Sequence, residues 1–444
     1  MIRALTAAAF VATAPLAPAL AAVEIQEVVS PGGITAWLVE EPSIPFVAIE
    51  LQFEGGAGLD LPGKRGATFL MHGLLEEGAG ARDNVAFAEA VEELSARFSF
   101  EAFADSVTVS AQMLTDETLD DAVALLRDAI TDPIFDPAAV ERVRGQVQSI
   151  IEANASDPGE IASAAQAASL FPDHPYGSGI EGTRESVAAL TPADLAEAHR
   201  NAMRRDNVIV GVTGDITPEE LGPLLDDLLG GLPETGPEGP GRADMAEVAG
   251  IDVIEFPAPQ STVRWAQGGI GLDDPDYFAA ILVNHVLGGG GFGSRLTEEV
   301  RVERGLTYGI GTGLAPRDHA EQWLGSFSAS NDKVAEAIDV VLDEWSRMAT
   351  EGLTEEELEA AKTYVMGAYP LRFDGNARIA GILAGMQSIG LPIDYIPTRN
   401  DRVEAVTLEQ ANRVARELLT PDQLSFVVVG QPEGVEDGPL PADG

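Results

Sequence analysis

V-A-I-E-L-Q-F-E-G-G-A-G-L-D (Val47 to Asp60) and V-R-W-A-Q-G-G-I-G-L-D-D (Val263 to Asp274) follow one plan: an alternating run, then Gly-Leu-Asp ahead of an apolar segment. Alternation with a period of two describes a strand with distinct faces. Its recurrence so far along the chain describes a duplicated unit.

The same order of elements continues outward from both copies at a spacing of about 210 to 217 residues. T-L-D-D-A-V-A-L-L-R-D-A-I (Thr118 to Ile130) and K-V-A-E-A-I-D-V-V-L-D-E-W (Lys333 to Trp345) place apolar residues at three- and four-residue steps, the pattern of an amphipathic helix. A second helix is expected after Asp136-Pro137 in one half and after Thr354 in the other, with Asp136 and Thr354 as N-caps. V-I-V-G-V-T-G-D (Val208 to Asp215) and F-V-V-V-G-Q (Phe426 to Gln431) supply a late strand in each half. Between the halves, L-P-E-T-G-P-E-G-P-G-R (Leu232 to Arg242) has the Pro and Gly content of a linker. The expected division is a leader over 1–22, a domain over 23–231, a linker over 232–249, a second domain over 250–431 and a flexible tail over 432–444. Each domain is read as α+β, with helices on one side of a mainly antiparallel sheet.

Composition narrows the function. Acidic residues outnumber basic ones 72 to 27, a formal charge of −45, which argues against nucleic acid and anionic membrane surfaces as partners. Residues 1–22 have a basic start at Arg3, a short apolar run and a small-residue Ala19-Leu20-Ala21 end, the pattern of a secretory signal peptide, so an exported, periplasmic or secreted protein is expected. No later run is apolar for about twenty residues, so no membrane span is expected. With no cysteine, thiolate chemistry and disulfides are excluded. No G-x-S-x-G elbow occurs, and the glycines of 288–291 lack the Lys-Ser/Thr of a phosphate loop.

The segment G-A-T-F-L-M-H-G-L-L-E-E-G-A-G (Gly66 to Gly80) carries the decisive comparison. Together with F-P-D-H-P-Y-G (Phe171 to Gly177), G-G-G-G-F-G-S-R-L from Gly288 and R-V-E-R-G-L-T-Y (Arg301 to Tyr308), it resembles the M16, pitrilysin- and insulinase-like zinc peptidase family, including the mitochondrial-processing-peptidase type. The resemblance implies two duplicated LuxS/MPP-like metallohydrolase-type α/β domains that face each other and pair with a second chain. In the H-x-x-E-H motif of that family, two histidines one helical turn apart hold zinc and the glutamate between them activates the bound water. Laid on this chain, the two ligand positions fall on Phe69 and Gly73 and the base position on His72. The third ligand position, counted back from Asp157-Pro158 along Val143 to Pro158, falls on Ser149 or Ile150, with Glu152 off that register. A shifted site using His72 and Glu76 is the weaker reading. His285 occupies the position equivalent to His72 in the second half, and His174 reads as a turn residue.

Arg301 and Tyr308 are the residues the resemblance retains, with Gly305 between them as a helix terminator. In the family an arginine and a tyrosine at this spacing face the zinc site, hold the substrate and stabilise the developing oxyanion. A guanidinium fork and a phenolic hydroxyl suit that chemistry. The alternative is structural, with Arg301 paired to an acidic neighbour and Tyr308 opening a core strand. The resemblance therefore implies a metal-free subunit of a heterodimeric zinc endopeptidase, with zinc expected in an H-x-x-E-H partner and peptide as substrate. Two alternatives stand beside it, a non-catalytic binding or scaffold protein of the same fold and a self-sufficient peptidase with atypical ligands.

Overall fold

The computed structural model describes residues 24–115 and 117–440, so the expected leader lies outside the described residues. The first half contributes β1 (Gln26–Val29), β2 (Thr35–Glu40), β3 (Phe46–Glu54), the short ribbon of β4 (Gly78–Ala79) and β5 (Arg82–Asp83), then β6 (Arg97–Ala102), β7 (Ser106–Leu114) and β8 (Val208–Gly214). The second contributes β9 (Gly250–Glu255), β10 (Gln260–Gly268), β11 (Thr307–Pro316), β12 (Glu321–Ser330) and β13 (Ser425–Gly430). The strand orders are β1-β2-β8-β3-β7-β6 and β11-β12-β10-β13-β9. Read from opposite ends, they are the same sheet with β1 added. Each is antiparallel except for one parallel pair, β2 with β8 and β9 with β13.

One face of each sheet packs on helices of its own half. Leu38, Ile49, Leu51, Phe53, Val107 and Val109 of the first sheet are buried in one cluster with residues of the helices Leu119–Thr131, Pro137–Asn154 and Pro218–Leu229. Val263, Trp265, Phe327 and Phe426 are buried equivalently with Val334–Glu351 and Leu408–Leu418. Each such side chain contributes roughly 1.5–3 kcal/mol relative to exposure. Asp136 accepts from the backbone N–H groups of Ala138 and Ala139, and the Thr354 and Glu357 side chains form a capping box, as their spacing predicts.

Each half's own helices lie on one side of its sheet, as expected, and one feature is added to that plan. The strands beside the parallel pairs are apolar on both faces, as in S-F-V-V-V-G (Ser425–Gly430), all of it buried. Their second faces are covered by exchange. The helix Asn376–Ser388 from the second half packs on β8, β3 and β2, where Leu383 and Met386 meet Trp37 and Val39. The helix Pro158–Leu170 from the first half packs on β13 and β10, where Ala162 meets Val427 and Val429. Gly211 of β8 permits the first of these contacts, because a Cβ there would overlap the Ala380 carbonyl oxygen.

The segment between the halves lacks regular structure up to β9 but is held at several points. Arg205 donates its backbone N–H to Pro233, Ala243 to His319 and Ala246 to Leu170, at 2.9, 2.7 and 2.8 Å. The tail expected to be flexible from 432 is corrected over 435–440. Gly438 and Ile251 exchange two backbone hydrogen bonds of 2.9 and 3.0 Å, and Val435 and Leu440 pack on the second core. The apolar residues among its Pro and Gly supply the anchor; 441–444 lie outside the described residues.

Gly211→Ala is expected to lower the urea midpoint by the equivalent of ~1–3 kcal/mol, because the new methyl wedges the exchanged helix from the sheet. Gly145→Ala is the matched control. It lies in Pro137–Asn154 with open space beyond it and should be neutral or stabilising by up to ~1 kcal/mol.

Candidate functional site

The first zinc-motif segment is built from Gly-Leu-Asp. Asp60 accepts from the Gly66 N–H (2.9 Å), the Thr68 N–H (2.9 Å) and the Thr68 hydroxyl (2.7 Å), fixing the start of the helix Ala67–His72. Gly66, at φ 94°, makes the left-handed entry. Arg65 donates to the carbonyls of Pro175, Ser178 and Gly179 at 3.0 to 3.1 Å, so the H-P-Y-G turn is tied to this same corner.

The four degenerate positions fall on two helices. Phe69 packs on the first core and its ring lies 4.9 Å from that of His72. Burial pushes the His72 imidazole below its ordinary value, with the Phe69 backbone opposing the shift. Gly73 ends the helix, and a Cβ there would sit 3.1 Å from Val143 Cγ1 on Pro137–Asn154. Ser149, exposed on that second helix, turns its hydroxyl back to the Gly145 carbonyl at 2.9 Å.

A shifted metal pair of His72 and Glu76 is corrected, because the helix stops at His72 and Glu76 lies in the turn beyond it. Its neighbour Glu77 pairs with Arg142. Among the described residues, no three or more His, Asp or Glu side chains are grouped so as to hold a metal ion. His285, following the helix Tyr277–Asn284, stacks its ring 4.9 Å from that of Tyr364, so the histidine equivalent to His72 has a packing role.

Arg301 and Tyr308 sit on either side of a helix stop. Arg301 belongs to the last turn of the helical segment Thr297–Glu303. Gly305, at φ 60°, donates to the Arg301 carbonyl (3.1 Å) and lets the Leu306 N–H reach back to the Val300 carbonyl (2.8 Å), which closes the helical segment. The chain then enters β11 through a bulge between Thr307 and Ile310. The Thr307 hydroxyl holds that bulge, donating to Ser328 O (2.6 Å) and accepting from the Gly309 N–H (3.2 Å). Tyr308 is thereby turned outward and is 86% exposed, so it is not the opening residue of a core strand. Arg301 has no carboxylate partner among the described residues; its guanidinium lies 4.5 Å over the Phe292 ring. The acidic partnership belongs to Arg304, which pairs with Glu299. The preceding G-F-G-S-R-L segment is anchored by Arg295, whose fork meets both Glu357 oxygens at 2.7 Å and the Gly352 carbonyl at 2.8 Å.

A polar junction between the halves was not legible in the sequence. His174 Nδ1 accepts from the Tyr176 N–H (3.1 Å) and its Nε2 lies 3.2 Å from the Gly241 carbonyl, which sets the tautomer with the proton on Nε2. Its ring stands 5.6 Å from that of His319, and Arg317 lies 3.3 Å over Tyr176. His174 is therefore both the turn residue its sequence suggests and a contact between halves. A cavity of about 700 Å³ opens beside this junction, with Glu54, Arg204, Arg242 and Arg317 in its wall.

With this geometry in view, two family descriptions match the chain: Insulinase (Peptidase family M16) over residues 36–184, and Peptidase M16 inactive domain over residues 189–365. The chain belongs to the M16 peptidase family, as a member of the inactive type that lacks the H-x-x-E-H motif. It is similar to the solved structure of a peptidase M16 inactive domain from Pseudomonas fluorescens, at 29% identity and a TM-score of 0.86, covering 94% of this chain and 100% of that one. A relative from Helicobacter pylori named non-peptidase homolog YmxG is 23% identical over 88% of this chain and 90% of its own length. The mitochondrial-processing peptidase subunit beta of Blastocladiella emersonii is 26% identical over 68% of this chain and 66% of its own.

Two outcomes follow for the degenerate helix. Dialysis against zinc, followed by elemental analysis, should leave well under one equivalent on the purified chain. Because folded His72 binds a proton less readily than the unfolded chain, its contribution to stability is complete above pH 6.5 and is lost as pH falls through that value towards its lowered folded value. The stability difference between wild type and His72→Asn, measured by urea titration, should therefore shrink from pH 7.5 to pH 5.

Proposed function

We propose that this protein is the metal-free subunit of an exported heterodimeric zinc endopeptidase, whose H-x-x-E-H partner supplies zinc and the general base. The observation that carries the reading is the contrast between the two motifs. The zinc positions hold Phe69, His72, Gly73 and Ser149, while Arg301 and Tyr308 remain unpaired with acidic groups and, for Tyr308, almost fully exposed. A relic tyrosine on a strand has no reason to be held outward by a dedicated hydroxyl-braced bulge. In the complex, Arg301 holds a substrate carbonyl or carboxylate through its fork, and Tyr308 donates its phenolic proton to the oxygen that gains charge in the tetrahedral intermediate. Zinc in the partner polarises the scissile carbonyl and activates water. The likeness to a subunit of mitochondrial-processing peptidase supports a two-chain arrangement.

A non-catalytic scaffold of the same fold is the second reading, favoured by the relative named a non-peptidase homolog. Reconstitution with an H-x-x-E-H partner separates the two. The proposal expects no peptide hydrolysis by this chain alone, hydrolysis by the pair, and a loss of about 10- to 1000-fold in kcat for Arg301→Ala or Tyr308→Phe with assembly unchanged, the range of a removed oxyanion donor. Hydrolysis by the chain alone, or unaltered kcat in both variants, contradicts it.

A further inference from the structure

The exchanged helix Pro158–Leu170 packs on β13 and β10, and two hollows lie on the β12 and β11 side of the same face. Val427 of β13 lies under it, Arg264 of β10 pairs in register with Val427 on one side and Ser326 of β12 on the other, and Ser326 pairs with Gly311 of β11. Arg264 thus stands where the covered part of the inner face ends and the open part begins. Beyond it the face carries small groups: Thr262 and Ser328 in one cross-strand pair, Ser326 and Gly311 in the next. Two adjoining hollows of about 500 and 430 Å³ occupy this region, and both include Arg264, Ile310, Gly311 and Ser326 in their walls. Tyr308 borders the larger one.

Arg264 is unlike the other inward-facing arginines. Arg144 donates to the carbonyls of Val187 and Leu190, and Arg295 to Glu357 and the Gly352 carbonyl with only its Nη1 left over, whereas Arg264 makes no hydrogen bond or ion pair among the described residues. Among the described residues the Arg264 Nε is buried without a hydrogen-bond partner and no carboxylate lies within ion-pair distance of its guanidinium; Glu160, on the first turn of the covering helix, acts only at longer range. A half-buried, unpaired guanidinium facing a polar trough is costly unless something binds it. That it remains single in a chain with 72 acidic residues against 27 basic ones makes the lack of a partner specific to the place.

We infer that Arg264 anchors a carboxylate of a peptide lying in this trough, with Ser326, Ser328 and Thr262 as the neutral hydrogen-bonding wall and the glycines of β11 leaving room for the peptide backbone. The inference rests on the reading above that Tyr308 meets a peptide substrate, since Tyr308 borders the same hollow, and it assigns that peptide an acidic group, either the C-terminal carboxylate or an Asp or Glu side chain. A bidentate guanidinium–carboxylate contact in a partly dry trough is the strong form of such an anchor.

The test is fluorescence anisotropy on the mature chain alone, with one short unstructured labelled peptide in three forms: free C-terminal acid, C-terminal amide without acidic residues, and amide carrying one internal Glu. Wild type should bind one or both carboxylate forms about tenfold more tightly than the neutral amide, equivalent to ~1.4 kcal/mol, and which form gains identifies the source of the carboxylate. Arg264→Gln should bring all three to the affinity of the neutral amide, and Arg264→Lys should keep only part of the preference. Equal binding of the three forms by wild type, no binding of any form, or a full preference surviving in Arg264→Gln overturns the inference. Should Arg264→Gln melt well below wild type, Arg264→Lys decides, and an undiminished preference there overturns it. No partner enters this assay, so its failure leaves the shared-site reading standing, and failure of the reconstituted hydrolysis leaves an Arg264 preference standing.

Discussion

In each sheet the strands around the parallel pair are apolar on both faces, while the helices of the same half cover only one, and that shortage determines the rest of the architecture. Val427 and Val429 on one sheet and Trp37 and Val39 on the other would be left in water if either half stood alone. Reciprocal exchange of Pro158–Leu170 and Asn376–Ser388 removes them, so the halves are bound by the burial that completes their own cores. Gly211 shows how close the exchange is, since nothing larger than hydrogen fits beneath Ala380. The coverage is incomplete towards β12 and β11, and the hollow left there is bordered by Arg264 of β10 and Tyr308 of β11.

The loss of zinc chemistry and the retention of Arg301 and Tyr308 are separate physical facts on separate halves. On the first half, the motif helix survives as a packing element: Leu70 and Met71 are fully buried, Phe69 joins the core, and the space a ligand at 73 would need is bordered by Val143. On the second half, Gly305 and Thr307 shape the chain so that Tyr308 leaves the sheet. Together they leave an exposed tyrosine and an arginine without a carboxylate partner on a chain that lacks the zinc motif.

The duplication was legible in the sequence because it is written in local periodicity. Val47–Asp60 and Val263–Asp274 alternate, and the helices beginning near Thr118 and Lys333 have clean three- and four-residue steps. The zinc blanks were equally legible, since phenylalanine and glycine offer no donor atoms wherever they are placed. Exchange was not legible, because the helix Asn376–Ser388 reads as an ordinary apolar helix until the strand it covers, about 170 residues earlier, is known. The same is true of His174, whose partners Gly241 and His319 lie 67 and 145 positions away, and of Arg264, whose significance is the absence of a neighbour. The expected flexible tail failed for a related reason: its composition suggested fraying, while Val435 and Leu440 found a core that composition does not reveal.

The central claim is that this chain is one half of a shared active site, and native mass spectrometry of the protein isolated from its own source under zinc-retaining conditions tests it most directly. The account predicts a one-to-one complex with a chain bearing H-x-x-E-H and a single zinc that leaves with that partner on dissociation. A species without any such partner, or zinc remaining with this chain after dissociation, would contradict it.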